Sequence, residues 1–384
     1  MSLKPIEQSF KVSYEYKLHF TKHIFHTDNA LFERIINSYG NGKKVKLLFV
    51  IDDGVVRHHP GLLEDIKNYC DKHTTLEKTA ALIIKGGEQS KNEEANVKRI
   101  LSEINDNKIC RHSFVIVIGG GAVIDMAGYA ATIAHRGVKL IRIPTTVLSQ
   151  NDSAVGVKNG VNAFNKKNFI GTFAPPFAII NDSDFLRTLE QRDWLAGVSE
   201  AIKVALIKDS TFFEFLEKNA QRIQDRDGDT MQYLIYRCAE IHMQHIATGG
   251  DPFESGSSRP LDFGHWAAHK MEQITNYGLR HGEAVAKGIV LDVIYAELIG
   301  MVDRQVVTRV ISLFDNVGLD LALPIEARTD ELLQGIEEFR EHLGGELTIT
   351  LLSGIGKKQD VHEIDQELMK QAIATLKDLS KQKA

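Results

Sequence analysis

The densest chemistry in the chain lies in Pro260-Leu-Asp-Phe-Gly-His265-Trp-Ala-Ala-His269, followed closely by Leu279-Arg-His281-Gly-Glu283. His265 and His269 are four residues apart, which on a helix puts both imidazoles on one face, as in the H-E-x-x-H metal helices. No carboxylate stands between them, so the zinc-protease reading lacks its general base. Neutral imidazole is the commonest ligand for zinc-like ions. Spacing alone leaves two readings open: a metal site, or a pair of helix-face histidines with ordinary hydrogen bonds.

A second constellation points to a nucleotide. Phe114-Val-Ile-Val-Ile118 is a short apolar run of the kind that forms a buried parallel strand. It leads into Gly119-Gly120-Gly121, then Asp125, then an apolar helical pattern through Ala134. Glycines between a strand and a helix let backbone N–H groups approach a diphosphate at the helix N-terminus. The run is not G-x-G-x-x-G, so a standard Rossmann site is not implied. A simple tight turn accounts for one glycine better than for three.

The elements that must position these groups fall into two kinds. Phe10, Val12, Tyr14, Tyr16, Leu18 and Phe20 alternate with more polar residues and predict a half-buried strand or hairpin arm. Strands are then expected at Val45–Ile51, Ala80–Ile84, Phe114–Ile118 and Leu140–Ile143, with helices between them, such as Asn92–Asn105 and Asp125–His135. That alternation predicts a parallel sheet covered by helices, with ligands at the C-terminal strand ends. Beyond about residue 190, long helical periodicities take over at Ala196–Leu206, Phe212–Ile223, Met231–Ile246 and Val285–Ile299. The expectation is an α/β nucleotide-binding domain over residues 1–188 and a mainly helical metal- and substrate-binding domain over 189–384. A cleft between them is a favoured place for an active site.

Bulk properties narrow the function classes. The 384 residues are 43% hydrophobic and 25% charged, as expected of a globular protein of two domains. A net charge of −5 with no basic stripe argues against nucleic acid as a partner. No apolar run reaches membrane length, and the first residues lack a signal-peptide pattern. Cys70, Cys110 and Cys238 are scattered and odd in number. No disulfide framework is implied, and a cytoplasmic location is the expectation.

In order along the chain come Gly87-Glu88-Gln-Ser-Lys91, Gly119-Gly-Gly-Ala-Val-Ile-Asp125, Arg136-Gly137, Pro144-Thr145-Thr146, Asn151-Asp152 through Lys158 to Asn162, Lys167-Asn168, Glu200-Ala-Ile-Lys203 and the histidine segment. This series resembles the sugar phosphate cyclase superfamily, whose best-known member is 3-dehydroquinate synthase, over about residues 45–356. The resemblance implies a dehydroquinate synthase-like fold and a phosphate-eliminating carbon–oxygen lyase. It implies a homodimer acting on a small sugar phosphate, with NAD and Zn2+ or Co2+ as cofactors. It places the metal on Glu200, His265 and His281, and moves His269 to the substrate phosphate, against the spacing argument. By resemblance, Asp52 or Asp53 with Glu88 and Lys91 would hold the adenosine ribose. Gly120, Gly121 and Asp125 would meet the diphosphate and its neighbouring ribose. Thr145, Thr146, Asp152, Lys158 and Lys167 would line the nicotinamide side. Lys158, Asn168, His269 and Arg136 of a second subunit would clamp the substrate phosphate, and Lys203 would approach the oxygens that the metal holds.

Substrate choice turns on two positions. Where 3-dehydroquinate synthases carry an arginine six residues before Gly-His, with an asparagine four residues after it, this chain has Ser258 and Asp262. Losing the partners of a substrate carboxylate and gaining a like charge points to a neutral, hydroxylated end. The surrounding segments resemble the 2-epi-5-epi-valiolone synthase branch, which cyclises sedoheptulose 7-phosphate to a C7 cyclitol. A 3-dehydroquinate synthase with an altered carboxylate site is the first alternative. A glycerol dehydrogenase-like polyol oxidoreductase is the alternative from another class, but it needs no phosphate clamp.

Overall fold

The computed structural model describes residues 3–164, 166–253, 256 and 259–381. Its N-terminal part is a six-stranded parallel sheet. The strands are β1 (Lys17–Thr21), β2 (Val45–Asp52), β3 (Leu76–Ile84), β4 (Phe114–Gly119), β5 (Lys139–Pro144) and β8 (Ala178–Asp182), in spatial order β1-β8-β5-β4-β2-β3. An antiparallel hairpin, β6 (Lys158–Ala163) and β7 (Lys166–Phe173), interrupts the series before β8. Parallel neighbours need crossovers, and helices supply them: α1 (Leu31–Gly40), α2 (Asp53–His58), α3 (Leu62–Lys72), α4 (Glu94–Asp106) and α5 (Gly121–Ile133).

All six residues of β4 are buried, because helices cover both faces. Phe114, Ile116 and Ile118 point into one apolar layer with Phe32, Phe49 and Tyr69. Val115 and Val117 point into the other, with Ile100, Ile124 and Ala127. This is the two-residue strand period at work. Such a strand reads as a continuous apolar run, which is why it was the clearest in the sequence.

The C-terminal part is largely helical. It comprises α6 (Gln191–Ala196), α7 (Val198–Lys208), α8 (Ser210–Gln224), α9 (Gly228–Thr248), α10 (His265–Ile274), α11 (His281–Leu298), α12 (Arg304–Val317), α13 (Thr329–His342) and α14 (Gln366–Lys381). One hairpin, β9 (Ile349–Gly354) with β10 (Lys357–Val361), joins them. Helix α11 is buried continuously from Ala284 to Ala296, and a helix buried on all sides belongs inside a core. Helix α7 is buried from Val198 to Ile207, so Glu200 and Lys203 are charges set in a core helix.

The expected N-terminal strand is shorter than its alternation. Only Lys17–Thr21 pairs, parallel to β8, while Phe10, Val12 and Tyr14 are 87%, 62% and 57% exposed. Alternation signals a strand only where a neighbouring edge exists, and β8 is five residues long. The expected helix at 92–105 starts at Glu94, after a 3-10 turn over Glu88–Asn92. The expected helix at 125–135 runs from Gly121 to Ile133, and His135 and Arg136 follow at φ 51° and 61°.

Candidate active site

Helix α7 carries Glu200 and Lys203 one turn apart, α10 begins with His265, and α11 begins with His281. Glu200, His265 and His281 each offer a ligand atom, all within 4.8 Å of one another. Glu200 Oε1 lies 3.6 Å from His265 Nε2 and 3.5 Å from His281 Nε2. That oxygen is buried and takes no hydrogen bond, an arrangement a cation between the three groups would satisfy. Lys203 contacts Oε2 of the same carboxylate. Burial pushes the Glu200 pKa up, but Lys203 and the two histidines outweigh it and hold the carboxyl well below its usual range. Burial pushes Lys203 down, but Glu200 and Asp152 keep it above the ordinary lysine value, hence protonated.

The imidazoles are aimed from behind. His265 Nδ1 donates to the Phe263 carbonyl at 3.0 Å, which leaves the Nε2 lone pair facing Glu200. Burial, then Lys203, lower its pKa to about 4, so it is neutral. His281 Nδ1 is 3.0 Å from Glu272 Oε2. Two backbone contacts fix where these rings start. Gly264 has φ +78°, and a Cβ there would meet the Ile289 nitrogen at 2.7 Å. A Cβ on Gly282 would sit 1.8 Å from the Ala196 carbonyl oxygen. Asp292, fully buried, accepts from Gly264 N at 3.0 Å and Trp266 Nε1 at 2.8 Å, pinning the start of α10. Arg192 on α6 grips Glu283 with two bonds of 2.5 and 2.7 Å, and Glu283 Oε2 accepts the Arg280 N–H at 3.0 Å.

His269 stands one turn below His265, ring centroids 5.4 Å apart, and stacks on His281 at 6.0 Å. Burial, then Lys167, hold it far below the usual histidine pKa. It is grouped with Glu272 and His281, away from Glu200. Asp262 is raised by burial but pulled below its usual pKa by Lys158, His265, His269 and Lys203, in that order. Ser258 lies outside the described residues. Asp152 has His242 Nδ1 at 3.0 Å. Burial and Glu200 raise it, while Lys203 and His242 more than offset them.

The glycine turn is at the C-terminal edge of the sheet, where β4 meets α5. Gly120 caps α5 with no side-chain hydrogen bond, so no cap side chain takes up the first-turn amides. A Cβ at Gly119 would meet Asp52 Cβ at 2.9 Å, and one at Gly121 would meet Ser153 Oγ at 2.6 Å. Asp52 caps α2 through Gly54 N at 2.8 Å, and burial raises its pKa. Asp53 accepts from Gly86 N at 2.9 Å. Lys91, buried, pairs with Asp125 at 2.9 Å, with Glu88 at 3.5 Å and with the Asn168 amide oxygen. Asn162 joins Glu88 at 3.1 Å. Asn168 therefore belongs to the Lys91 network in this structure. Thr145 N donates to Gly119 O at 3.0 Å, and Thr146 is capped by Ser149. Lys167 pairs with Glu272 at 2.9 and 3.1 Å. Arg136 is exposed beyond the far end of α5, about 20 Å along the helix from the glycine turn.

Three positions were missed in the sequence. Glu272 is seven residues after His265, on the same helix face, which was a readable signal. Arg142, fully buried in Leu140-Ile-Arg-Ile143, was another: a charge in an apolar strand. It donates to Ala154 O, Gly156 O, Lys158 O and Asn159 Oδ1 at 2.6–3.1 Å, holding the loop between Asp152 and Lys158. His242 gave no local signal, because its partner Asp152 is far away in sequence.

Comparison with known proteins agrees with this geometry. The 3-dehydroquinate synthase N-terminal family model matches residues 81–196, and the C-terminal model matches residues 197–340. A 3-dehydroquinate synthase of Vibrio atlanticus (strain LGP32) is 36% identical over 77% of this chain and 81% of its own. The chain belongs to the 3-dehydroquinate synthase family of sugar phosphate cyclases. It is an enzyme of that family. Among solved structures, ValA, a 2-epi-5-epi-valiolone synthase from Streptomyces hygroscopicus subsp. jinggangensis 5008 with NAD+ and Zn2+ bound, matches at TM-score 0.87 and 25% identity, covering 98% of this chain and 99% of ValA. A glycerol dehydrogenase from Schizosaccharomyces pombe matches at TM-score 0.66 and 17% identity, over 95% and 90% of the two chains, a likeness of fold alone.

Proposed function

We propose that this cyclase uses NAD and a Zn2+ or Co2+ ion to convert sedoheptulose 7-phosphate to 2-epi-5-epi-valiolone with loss of phosphate. Glu200, His265 and His281 would hold the ion, and the turn at Gly120 and Gly121 with Glu88, Lys91 and Asp125 would hold the dinucleotide. When bound, the ion acidifies a substrate hydroxyl and the nicotinamide removes and later returns a hydride. Lys203, protonated, would donate to the substrate oxygens beside Glu200. Asp152, ionised, can accept a proton. Neutral His269 and Lys158, with the partner subunit's Arg136, would receive the phosphate. An intramolecular aldol closure then completes a cycle with no net redox change.

Asp262 carries the choice of substrate. It is a half-buried carboxylate that four basic groups hold below its usual pKa. A substrate carboxylate about 5 Å away would meet about 3 kcal/mol of repulsion at an effective dielectric near 20, roughly a hundredfold in specificity. Sugar hydroxyls would instead donate to it. The fit to ValA supports the same reading.

The second reading is 3-dehydroquinate synthase itself. The family models and the Vibrio relative favour it, and across the comparisons it has the broader support. A product assay separates the two. Enzyme with NAD and Zn2+ or Co2+ is given either sedoheptulose 7-phosphate or the carboxylate-bearing heptulosonate phosphate. Phosphate release and NMR of the carbocycle are followed. Turnover of the first at least about a hundredfold faster, without NADH build-up, is expected. Efficient formation of 3-dehydroquinate overturns the proposal.

A further inference from the structure

Glu272 is a carboxylate in an unfavourable place. It stands in the last turn of α10, where the helix dipole disfavours negative charge, and its side chain is 3% exposed. A buried carboxylate persists when its oxygens are paired. Here Oε1 and Oε2 receive Lys167 at 2.9 and 3.1 Å, and Oε2 also faces His281 Nδ1 at 3.0 Å. The other nitrogen of that ring is the one 3.5 Å from Glu200 Oε1.

The backbone is bent to make this contact. Between α10 and α11, Asn276 and Tyr277 adopt φ 47° and 60°, and Tyr277 N bonds back to the Glu272 carbonyl at 2.8 Å. An aromatic residue in the left-handed region is uncommon. The turn returns the chain so that His281 lies against a residue of the previous helix. Lys167 comes from β7, in the part of the chain that carries the glycine turn.

We propose that Glu272 is the positioning residue of the metal centre: it holds the His281 ring by Nδ1 so that Nε2 faces the ion, and Lys167 holds Glu272 in place. A carboxylate behind a ligating imidazole fixes its tautomer and raises its basicity. The proposal rests on the metal assignment above and is independent of the substrate.

The test is Zn2+ titration of metal-free protein against a chromogenic chelator, with the visible spectrum of the Co2+ form as a second readout. Glu272→Ala should bind Zn2+ about 10- to 100-fold more weakly and shift the Co2+ bands. Glu272→Gln, whose amide oxygen can still accept from Nδ1, should recover part of the loss. A Glu272→Ala protein with a wild-type melting temperature and Zn2+ affinity within twofold of wild type overturns the proposal. If the alanine variant does not fold, the twofold criterion applies to Glu272→Leu, which fills the space but offers Nδ1 no acceptor. Failure of wild-type protein to bind Zn2+ at all overturns the metal assignment and this proposal with it.

Discussion

Replacing Gly282 with alanine should cost the protein its metal without touching a ligand. The added Cβ would lie 1.8 Å from the Ala196 carbonyl oxygen and 2.5 Å from its carbon. Carbon–oxygen contacts settle near about 3.3 Å, so roughly 1.5 Å of movement is needed. Neither side is a flexible side chain: one is the end of α6, the other the first turn of α11. His281 precedes Gly282 and must move with it. Metal–nitrogen bonds are near about 2.0 Å and tolerate about 0.2 Å, so the displacement removes the ligand. Overpacking of this kind costs about 1–3 kcal/mol as well. Metal content by mass spectrometry, Zn2+ competition and a thermal melt are the measurements. Gly228→Ala is the control, since a Cβ there meets nothing within 4 Å. If Gly282→Ala keeps full metal content, Zn2+ affinity and melting temperature, backbone contact does not set the ligand position.

Three further outcomes follow from the same structure. Arg142→Lys should destabilise the protein by about 3 kcal/mol or more in urea, because one ammonium cannot serve the four acceptors around the guanidinium; a loss below about 1 kcal/mol would refute this. Burial raises the Asp292 pKa to about 7, so the folded state holds a proton there that the unfolded state releases near pH 4. Stability from this group is full below about pH 4 and lost as pH rises through about 7, by at most about 4 kcal/mol; wild type's margin over Asp292→Asn, in urea melts at pH 4.5 and 7.5, should shrink accordingly. His281→Ala should lose Zn2+ and turnover together, and activity removed by a chelator should return to wild type, but not to the variant, on adding Zn2+ or Co2+.

The sequence was most legible where local pattern and structure coincide. β4 and the glycine turn could be read directly, because a strand buried on both faces is a continuous apolar run. The helix-face argument linked His265 to His269, yet the groups that share Glu200 are His265 and His281, on two helices. Four-residue spacing sees one helix only; the family pattern named His281, and the turn at Asn276 and Tyr277 brings it there. The β6–β7 hairpin leaves no mark in the sequence because β7 is mostly exposed and shows no two-residue alternation. The short β1–β8 pairing joins residues about 160 apart, which no local window contains.

The placement of His281 at the head of α11 has a consequence for assembly. Glu200 leaves the ribosome some 65 residues before His265, but the third group is fixed only when a helix buried from Ala284 to Ala296 has entered its core. A chain stalled or truncated before α11 docks can offer no complete chelate. Loading with Co2+ would then act as a clock on maturation, its colour developing with the slowest packing step of the C-terminal half rather than with mixing.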